Sequence, residues 1–345
     1  MVASVSEKEA RAAEKAARAA EKAAKAQAKA NRPEKAPKEG NQKTTMSVFR
    51  SKSPEMQAII HSSPAKRRVL HAQREAADTS PEAAERVRIA REFSNTVPFT
   101  VPREKGYLQV PPGTLSGADT VIESALALTS SIGHERLLEM VKKPFVANLL
   151  TEEALTLDSP YMKFALSEEV VGPICAYLGM VPVLAHVDVW YTPYTGAPIR
   201  SSQMWHVDYE DVHQLKVFVH CTDVGPESGP LTILDSQLSE VLVEKLDYNL
   251  GMGRVTDDDV INALGPNAIL ELGAKRGAAS FVDTSRCFHF GSRIQEGAAP
   301  RQVVMIQYMT PYAFIYEKDH RGEARYRDLA DESSSQLTKL LLGAI

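Results

Sequence analysis

The chain has 345 residues, 43% of them hydrophobic, and a formal net charge of −4 at pH 7. This length suffices for one large core or two modest ones, and no apolar run approaches the ~20 residues that a membrane-spanning helix needs. Residues 1–45 carry 11 Lys and Arg against 6 Asp and Glu, which leaves 29 against 38 in the remainder. This acidic remainder argues against nucleic acid as the main partner.

The three cysteines are too few and too widely spaced to indicate a disulfide framework. The N-terminus lacks an apolar signal-peptide core, because charged residues interrupt its alanines every few positions. Both features favour a reducing compartment, and we expect a cytoplasmic location. Cys287 precedes His289 by two residues, but no second cysteine is near enough in sequence to indicate a thiolate metal site.

Residues 1–55 are predicted to be a low-complexity tail and linker, rich in Ala, Lys and Glu. The heptapeptide RAAEKAA occurs at 11–17 and again at 18–24. Acid-before-base pairs four residues apart support an isolated helix by about 0.2–0.5 kcal/mol each. The apolar positions are nearly all alanine, so such a helix has little surface to bury. A solvated helix and a weak coiled coil, through which the chain self-associates, are both compatible with this pattern.

Residues 56–180 are predicted to be a helical region that packs on the core. Ser80-Pro81-Glu82 is typical of a helix N-terminus, with a capping serine and a proline in the first turn. Helices are predicted over four ranges: 81–93, 117–131, 134–149 and 167–179. Gly172-Pro173 is expected to kink or restart the last of these. A C-terminal helix over 335–342 is expected within a final segment, residues 316–345.

From residue 181 the hydrophobic period changes to that of strands. The segments are short, rich in β-branched and aromatic residues, and separated by turn-like stretches. Eight strands are predicted: Val183–Tyr191, Gln203–Tyr209, Leu215–Thr222, Leu231–Leu234, Ala268–Leu272, Ala278–Asp283, Cys287–Gly291 and Gln302–Met309. We therefore predict a mainly β fold with flanking helices. Its core, over 181–315, is predicted to be a double-stranded β-helix, a cupin-like jelly roll that can hold a site at one mouth.

Two segments far apart in sequence supply metal ligands of one kind. His206 and Asp208 stand at i and i+2, so on an extended strand both side chains leave the same face. His289, on a distant predicted strand, would complete two imidazoles and one carboxylate around one ion. Such a triad is the arrangement of non-haem Fe(II) oxygenases. Arg301 heads a hydrophobic run, and its two-pronged guanidinium can clamp the carboxylate of a co-substrate.

The tripeptide His-Val-Asp occurs twice, at 186–188 and at 206–208. The first copy lies in mid-strand within an apolar run. The second ends a short strand and is followed by Glu210 and Asp211, as expected at the solvated mouth of a barrel. We therefore assign the metal site to the second copy. His186 either lines the pocket near the co-substrate or is a hydrogen-bonded core histidine.

Together, these residues resemble the phytanoyl-CoA dioxygenase (PhyH-like) family of Fe(II)/2-oxoglutarate oxygenases. The resemblance covers roughly residues 181–311. It depends on the following set: Trp205-His206-x-Asp208, Lys216-Val217-Phe218, Asp223-Val224, Glu227-Ser228-Gly229-Pro230-Leu231, Asp283-Thr284, His289 and Arg301. It implies Fe(II) bound by His206, Asp208 and His289, 2-oxoglutarate held by Arg301, and O2 as the second co-substrate. Because halogenating relatives have a small residue at the carboxylate position, the resemblance implies a hydroxylase that releases succinate and CO2.

Further residues are candidates for contacts with the co-substrate or substrate. Ser292 resembles the family's hydroxyl residue after the distal histidine, one position later than in the family pattern, and is expected to contact 2-oxoglutarate. Arg293 competes with Arg301 for the carboxylate, but it is expected in the turn after the strand, where it meets substrate or forms a surface ion pair. Asp283 is expected to orient the metal-binding imidazoles. Candidates at the pocket rim are Lys216, Arg276, Tyr107, Tyr194 and Arg200.

Loops over 98–113 and 194–203 are predicted to form the lid, and their few apolar residues favour a small polar substrate. His220 is interpreted as a structural histidine, and Lys216 and Arg276 have a simpler interpretation as solvated side chains. Two other functions stay open: a cupin-like zinc or manganese enzyme, and an inert barrel that binds partners through its tail. The cupin His-x-His pair is missing, and the complete triad argues against an inert barrel.

Overall fold

The computed structural model describes residues 58–59, 61–141, 145–315 and 324–345. The predicted tail and linker over 1–55 therefore lie outside the described residues. The described part of the chain combines helices with two antiparallel sheets. None of the helices in these ranges is long and apolar enough to cross a lipid bilayer.

Most of the helices lie before β3; two more lie between β5 and β6, and one closes the chain. Their bounds are Pro64–Ala77 (α1), Pro81–Ser94 (α2), Ala118–Ile132 (α3), His134–Met140 (α4), Pro160–Ala165 (α5), Glu168–Leu178 (α6), Ser236–Leu246 (α7), Asp257–Leu264 (α8) and Gln336–Leu342 (α9). The side chains of Ser63, Ser80 and Ser159 cap α1, α2 and α5, each followed by a proline that fits the first turn. α6 continues through Pro173 as one helix, so the predicted restart is wrong.

The strands form a six-stranded and a three-stranded sheet. Their bounds are Tyr107–Val110 (β1), Ala147–Asn148 (β2), Val183–Thr192 (β3), Gln214–His220 (β4), Leu231–Ile233 (β5), Leu270–Leu272 (β6), Ala279–Asp283 (β7), His289–Phe290 (β8) and Arg301–Met309 (β9). The strand order is β1-β7-β4-β9-β3-β2 in the large sheet and β6-β5-β8 in the small one. β9 lies between β3 and β4, the two other long strands of the large sheet.

Alternation along these strands separates two apolar layers. One face of the large sheet packs against the helices through residues that include Val187, Val189, Leu215, Val217 and Ile306. The other face, which we call the inner face, contacts the small sheet through residues that include Phe218, Val303, Met305, Leu231 and Ile233. Because successive strand residues point to opposite sides, Arg301 and Gln307 share the inner face with Val303 and Met305.

Several segments differ from the sequence prediction, among them the helices α1 and α5, which lie outside the predicted helical ranges. The helix predicted over 134–149 ends at Met140, and β2 lies within its range, because the edge of β3 offers free hydrogen-bonding groups for a short strand. Residues 107–110, predicted as part of a lid, are instead the edge strand β1 paired with β7. Between β5 and β6 the prediction missed α7 and α8, two helices of only 11 and 8 residues, whose two or three turns give a short periodic pattern.

Candidate metal centre

Backbone pairing brings the two histidines of the predicted triad together. His206 and His289 form an antiparallel bridge, in which His206 N donates to His289 O at 3.0 Å and His289 N donates to His206 O at 2.8 Å. Their ring centroids are 4.2 Å apart. Asp208 N donates to Thr284 O at 2.8 Å. The segment 203–209, predicted as a continuous strand, therefore pairs only at single residues, and each pairing positions a candidate ligand.

The donor atoms of His206, Asp208 and His289 lie within 4.8 Å of one another. Nδ1 of His206 lies 2.8 Å from Met204 O, and Nδ1 of His289 lies 2.9 Å from Cys287 O. A carbonyl oxygen only accepts hydrogen bonds, so each Nδ1 carries the proton and each neutral ring keeps its lone pair on Nε2. The two Nε2 atoms are 3.8 and 3.9 Å from the oxygens of Asp208. Two imidazoles and a carboxylate thus converge in the form that a divalent metal requires.

Burial and charge both keep these ligands deprotonated. Burial lowers the pKa of both imidazoles, and the proximity of His289 lowers that of His206 further. Burial alone would raise the pKa of Asp208, but the Lys216 ammonium and the two imidazoles outweigh it and hold that pKa well below its usual range. The cluster is therefore ready to bind a cation at neutral pH without first losing protons.

Lys216 is a direct partner of the metal ligand Asp208. Its Nζ lies 2.7 Å from Asp208 Oδ2, and its side chain is only 12% exposed. The interpretation of Lys216 as a solvated side chain is therefore wrong. Because Lys216 stands opposite Gln307, it lies on the inner face of the sheet and reaches Asp208 from there. Sequence alone does not reveal this pairing, since it depends on how the segment between Asp208 and β4 folds back over that strand.

Arg301 is a buried guanidinium without an acidic partner. Its side chain lies on the inner face at the start of β9, and the residue is 3% exposed. Nη1 donates to Gly229 O at 2.7 Å, and Nη2 donates to Ser292 Oγ at 3.4 Å. Among the described residues no carboxylate forms an ion pair with it, and its Nε has no hydrogen-bond partner. Burial lowers the pKa of Arg301 to about 10, so the group stays cationic at neutral pH.

Two further buried side chains near Arg301 also have polar atoms without partners. Thr192 stands directly opposite Arg301 across the β3–β9 pair, and His220 stands opposite Val303 on the same face. Within the described residues, Thr192 Oγ1 and His220 Nδ1 have no hydrogen-bond partner. Burial and the neighbouring Arg301 lower the pKa of His220 to about 3, so its ring is neutral. Buried polar atoms without partners are costly, and this group fits a polar, anionic ligand.

The prediction missed Thr192, and it gave His220 only a structural role. The signal that could have identified them is strand alternation, which places both on the inner face together with Arg301 once β3, β4 and β9 are aligned. Ser292 lies where a co-substrate contact was expected, beside Arg301, and its φ of 65° is unusual for a residue with a side chain.

Arg293 forms a structural ion pair instead of facing the same ligand as Arg301. Its Nη1 and Nη2 lie 2.7 and 2.9 Å from the two oxygens of Asp257, and its Nε donates to Gln203 O. Its guanidinium also stacks 3.4 Å from the centroid of Phe290. All three guanidinium nitrogens of Arg293 therefore have partners, and the geometry supports the ion-pair interpretation.

His186 lies far from Arg301, the residue expected to bind the carboxylate of the co-substrate. It stands opposite Gln307, six residues from Arg301 on β9, which is roughly 20 Å along an extended strand. Arg325 Nη1 donates to His186 Nδ1 at 2.8 Å. The structure therefore does not bring His186 to Arg301, where the co-substrate was expected.

Asp283 does not orient the metal-binding imidazoles, so that prediction is wrong. It is fully buried and accepts hydrogen bonds from Tyr177 Oη at 2.8 Å and from the backbone N–H groups of a turn that follows it. Both Nδ1 atoms of the triad are bonded to backbone carbonyls, as described above, so no carboxylate is needed there. Asp283 instead stabilises the turn that places Thr284 O opposite Asp208.

The remaining rim candidates lie at the surface or in the sheet. Arg276 is exposed and pairs with Glu123, so its solvated interpretation agrees with the structure. Tyr194 and Arg200 are exposed in the irregular segment 193–200, part of the predicted second lid. Tyr107 belongs to β1, where it packs against the inter-sheet layer.

Sequence reasoning also missed Arg254, which lies between α7 and α8. Val255 N donates to Trp205 O at 2.9 Å, so the chain beside Arg254 pairs with the residue that precedes His206. Arg254 interacts electrostatically with Asp208 and with both imidazoles. Its segment was predicted to be a connection between strands, and no local pattern marks it as part of a site.

No protein-family model matches the chain, and no curated protein sequence matches it significantly. Solved structures do resemble it. The non-heme α-ketoglutarate-dependent epimerase SnoN from nogalamycin biosynthesis is 15% identical, with a TM-score of 0.39, over 65% of this chain and 84% of that one. EctD from S. alaskensis is 16% identical, with a TM-score of 0.44, over 63% and 79%.

A third similar structure is the non-heme monooxygenase ThoJ, 16% identical, with a TM-score of 0.39, over 61% of this chain and 75% of that one. SnoN has been solved with Fe3+ and α-ketoglutarate, and EctD with 2-oxoglutarate and 5-hydroxyectoine. With identities of 15–16% and TM-scores below 0.5, the assignment of a function rests on the geometry of the site itself.

Proposed function

We propose that the chain is an Fe(II)/2-oxoglutarate-dependent oxygenase that hydroxylates a small organic substrate and releases succinate and CO2. One observation carries this proposal: the chain that supplies His289 to the buried cluster with His206 and Asp208 passes directly beside Arg301, a buried cation without an acidic partner in the described residues. The guanidinium of Arg301 lies next to Gly291 and Ser292, which follow His289 by two and three residues. A metal alone would not need the arginine, and a carboxylate ligand alone would not need the triad. A keto acid that binds both explains them together.

The residues present fit both groups. The Nε2 atoms of His206 and His289 and the Oδ1 atom of Asp208 would hold the metal, while Lys216 occupies Oδ2. Arg301 and Ser292 would hold the distal carboxylate of 2-oxoglutarate. When bound, Fe(II) with 2-oxoglutarate and O2 supplies the oxidation of a C–H bond. The protein orients the reactants and excludes water from them.

The fold class and the reaction type are part of the same proposal. The two antiparallel sheets, which face each other across one apolar layer, support a double-stranded β-helix. The motifs of residues 181–311 support a PhyH-like member of the oxygenase class. The carboxylate of Asp208 supports hydroxylation, because it would hold the metal at the place that halogenating relatives leave free for a halide with a small residue.

The experiment that tests this function is an anaerobic titration of Fe(II)-loaded protein with 2-oxoglutarate. We expect the weak visible charge-transfer band of the chelate in the wild type and its loss in Asp208→Ala. Tight binding of zinc or manganese without any such band in the iron form would favour a non-oxidative metalloenzyme. Absence of metal binding would favour an inert barrel and reject the proposal.

A further inference from the structure

Arg254 stands in one row with the two histidines of the candidate metal centre. His289 pairs with His206, and Val255 pairs with Trp205 on the other side of the same segment. Advancing the second antiparallel pairing by one residue places Arg254 opposite His206. Residues that are directly opposite in antiparallel segments point to the same side. The side chain of Arg254 therefore starts on the face that carries the imidazoles.

Arg254 has no partner of opposite charge within the described residues. It is half-buried, yet no carboxylate lies within 4 Å of its guanidinium, and no side-chain hydrogen bond involves it. The nearest acid in sequence, Asp257, is fully engaged by Arg293 through two hydrogen bonds. A guanidinium that is partly withdrawn from water and left unpaired is a site for an external anion.

The balance of charges around the triad also favours an anion. Arg254 interacts electrostatically with Asp208 and Glu210, and Lys216 interacts with the same two acids. These two cations and two acids balance each other before any metal is added. A divalent metal on the triad therefore leaves a positive surplus beside Arg254. Arg301 is a separate cation, which starts from β9 in the large sheet and donates to Gly229 O and Ser292 Oγ.

We propose that Arg254 binds an anionic group, a carboxylate or a phosphate, of the substrate that is oxidised. This inference rests on the proposed function and narrows its substrate to small anionic molecules. The two-pronged guanidinium can donate two hydrogen bonds to a carboxylate or to a phosphate, so substrates with either group would be recognised in the same way. The substrate would thus be bound by Arg254, between α7 and α8, and the co-substrate by Arg301 on β9.

The test uses the full chain loaded with Mn(II) and 2-oxoglutarate, with inorganic phosphate and acetate as probes of the anionic group. Bound Mn(II) accelerates the nuclear relaxation of a nearby ligand, which is read on ³¹P for phosphate and on ¹³C for labelled acetate. We expect one or both probes to show this acceleration in the wild type. In Arg254→Gln the apparent affinity should fall about tenfold, the loss expected for charge-assisted hydrogen bonds. Whichever probe responds identifies the class of anion.

Three variants make the result specific. Arg254→Lys keeps the charge but not the fork, so it should retain part of the affinity. Arg276→Gln removes an exposed arginine away from the site and should leave the relaxation unchanged. Arg301→Gln, kept saturated by a raised concentration of 2-oxoglutarate, should still bind the probes. Loss of probe binding in this variant alone would assign the anion to Arg301 and overturn the inference.

The outcomes separate this inference from the proposed function. Arg254 is not an anion site if Mn(II) and 2-oxoglutarate bind but the relaxation of neither probe is accelerated. The same conclusion follows if Arg254→Gln accelerates the relaxation of both probes as the wild type does. In both cases the oxygenase proposal stands. If neither Mn(II) nor 2-oxoglutarate binds, both proposals fail. Metal affinity measured on each variant by electron paramagnetic resonance shows whether the site itself has folded.

Discussion

Lys216 Nζ lies 2.7 Å from Asp208 Oδ2, so the carboxylate of the candidate triad has a buried cation on one of its two oxygens. This pairing does two things at once. It satisfies the carboxylate when no metal is present, and it leaves one oxygen, Oδ1, free to coordinate. Asp208 would therefore hold a metal through one oxygen only, while Lys216 keeps the other.

Lys216→Met tests this role, because it removes the ammonium and keeps the length of the side chain. It leaves a buried carboxylate unpaired, so the metal-free protein should lose about 3 kcal/mol of its free energy of unfolding. Mn(II) should restore more stability in this variant than in the wild type, because the divalent ion replaces the missing positive charge. Urea denaturation with and without Mn(II) measures both effects.

Lys275→Met is the matched control. Its ammonium also lies 2.7 Å from an aspartate, Asp223, but this pair is exposed. Exposed pairs contribute little, so the control should show no measurable change in unfolding. Equal losses in the two variants, or a Mn(II) effect in Lys216→Met that matches the wild type, would show that Lys216 does not act through Asp208.

The two His-Val-Asp copies provide a controlled test of the metal centre. His206→Ala should weaken Mn(II) or Fe(II) binding by more than about 100-fold. Even mutation of a residue that only hydrogen-bonds to a metal ligand lowers metal affinity by about 10- to 100-fold. His186→Ala changes the same tripeptide on β3 and should leave metal affinity unchanged. Isothermal titration of the metal-free proteins provides the comparison. The reverse result would move the metal to the first copy.

Arg301→Gln should weaken co-substrate binding without lowering the stability of the ligand-free protein. The guanidinium is buried without an acid, so its removal should leave the free energy of unfolding of the ligand-free protein unchanged or raise it. The affinity for 2-oxoglutarate should fall by about 10- to 100-fold, because charge-assisted hydrogen bonds to its carboxylate are lost. Fluorescence or calorimetric titration with 2-oxoglutarate, in the presence of Mn(II), measures the loss.

Arg293→Gln is the control for the arginine assignment. It breaks the ion pair with Asp257 and should lower stability, while the affinity for 2-oxoglutarate stays as in the wild type. A loss of 2-oxoglutarate binding in Arg293→Gln, with Arg301→Gln unaffected, would assign the carboxylate to the other arginine.

Part of this site could be predicted from sequence because the information is local. His206 and Asp208 are two residues apart, and the contrast between their polar surroundings and the apolar run around His186 selected the second copy. Arg301 followed from its place at the start of a long apolar strand. Each of these inferences needs only the period of a strand and the chemistry of the side chain.

The rest depends on register between strands that are distant in sequence. The pairing of Lys216 with Asp208 and the position of Thr192 beside Arg301 appear only when β3, β4 and β9 are aligned. Arg254 was missed because the segment between β5 and β6 contains two helices, and its single pairing with Trp205 leaves no periodic pattern. Single-residue bridges of this kind are set by tertiary packing rather than by local propensity.

His220 predicts a measurable pH dependence of stability. Burial and Arg301 lower its pKa in the folded protein to about 3, from an ordinary value of 6.5. Between these two values the unfolded chain binds a proton that the folded chain does not, so the free energy of unfolding rises with pH in this window. The stability contributed by neutral His220 is complete above pH 6.5 and is lost as the pH falls, by up to about 1.4 kcal/mol per pH unit.

His220→Gln removes this titration and keeps a polar group near Ser280, whose Oγ lies 3.2 Å from His220 Nε2. The wild type and the variant should therefore differ in the slope of stability against pH, with the wild type losing more between pH 6.5 and 5. Urea denaturation at several pH values in this range measures the slopes. The other buried histidines contribute equally to both proteins, so they cancel in the difference. Parallel slopes would mean that His220 takes up a proton in the folded state as readily as in the unfolded chain.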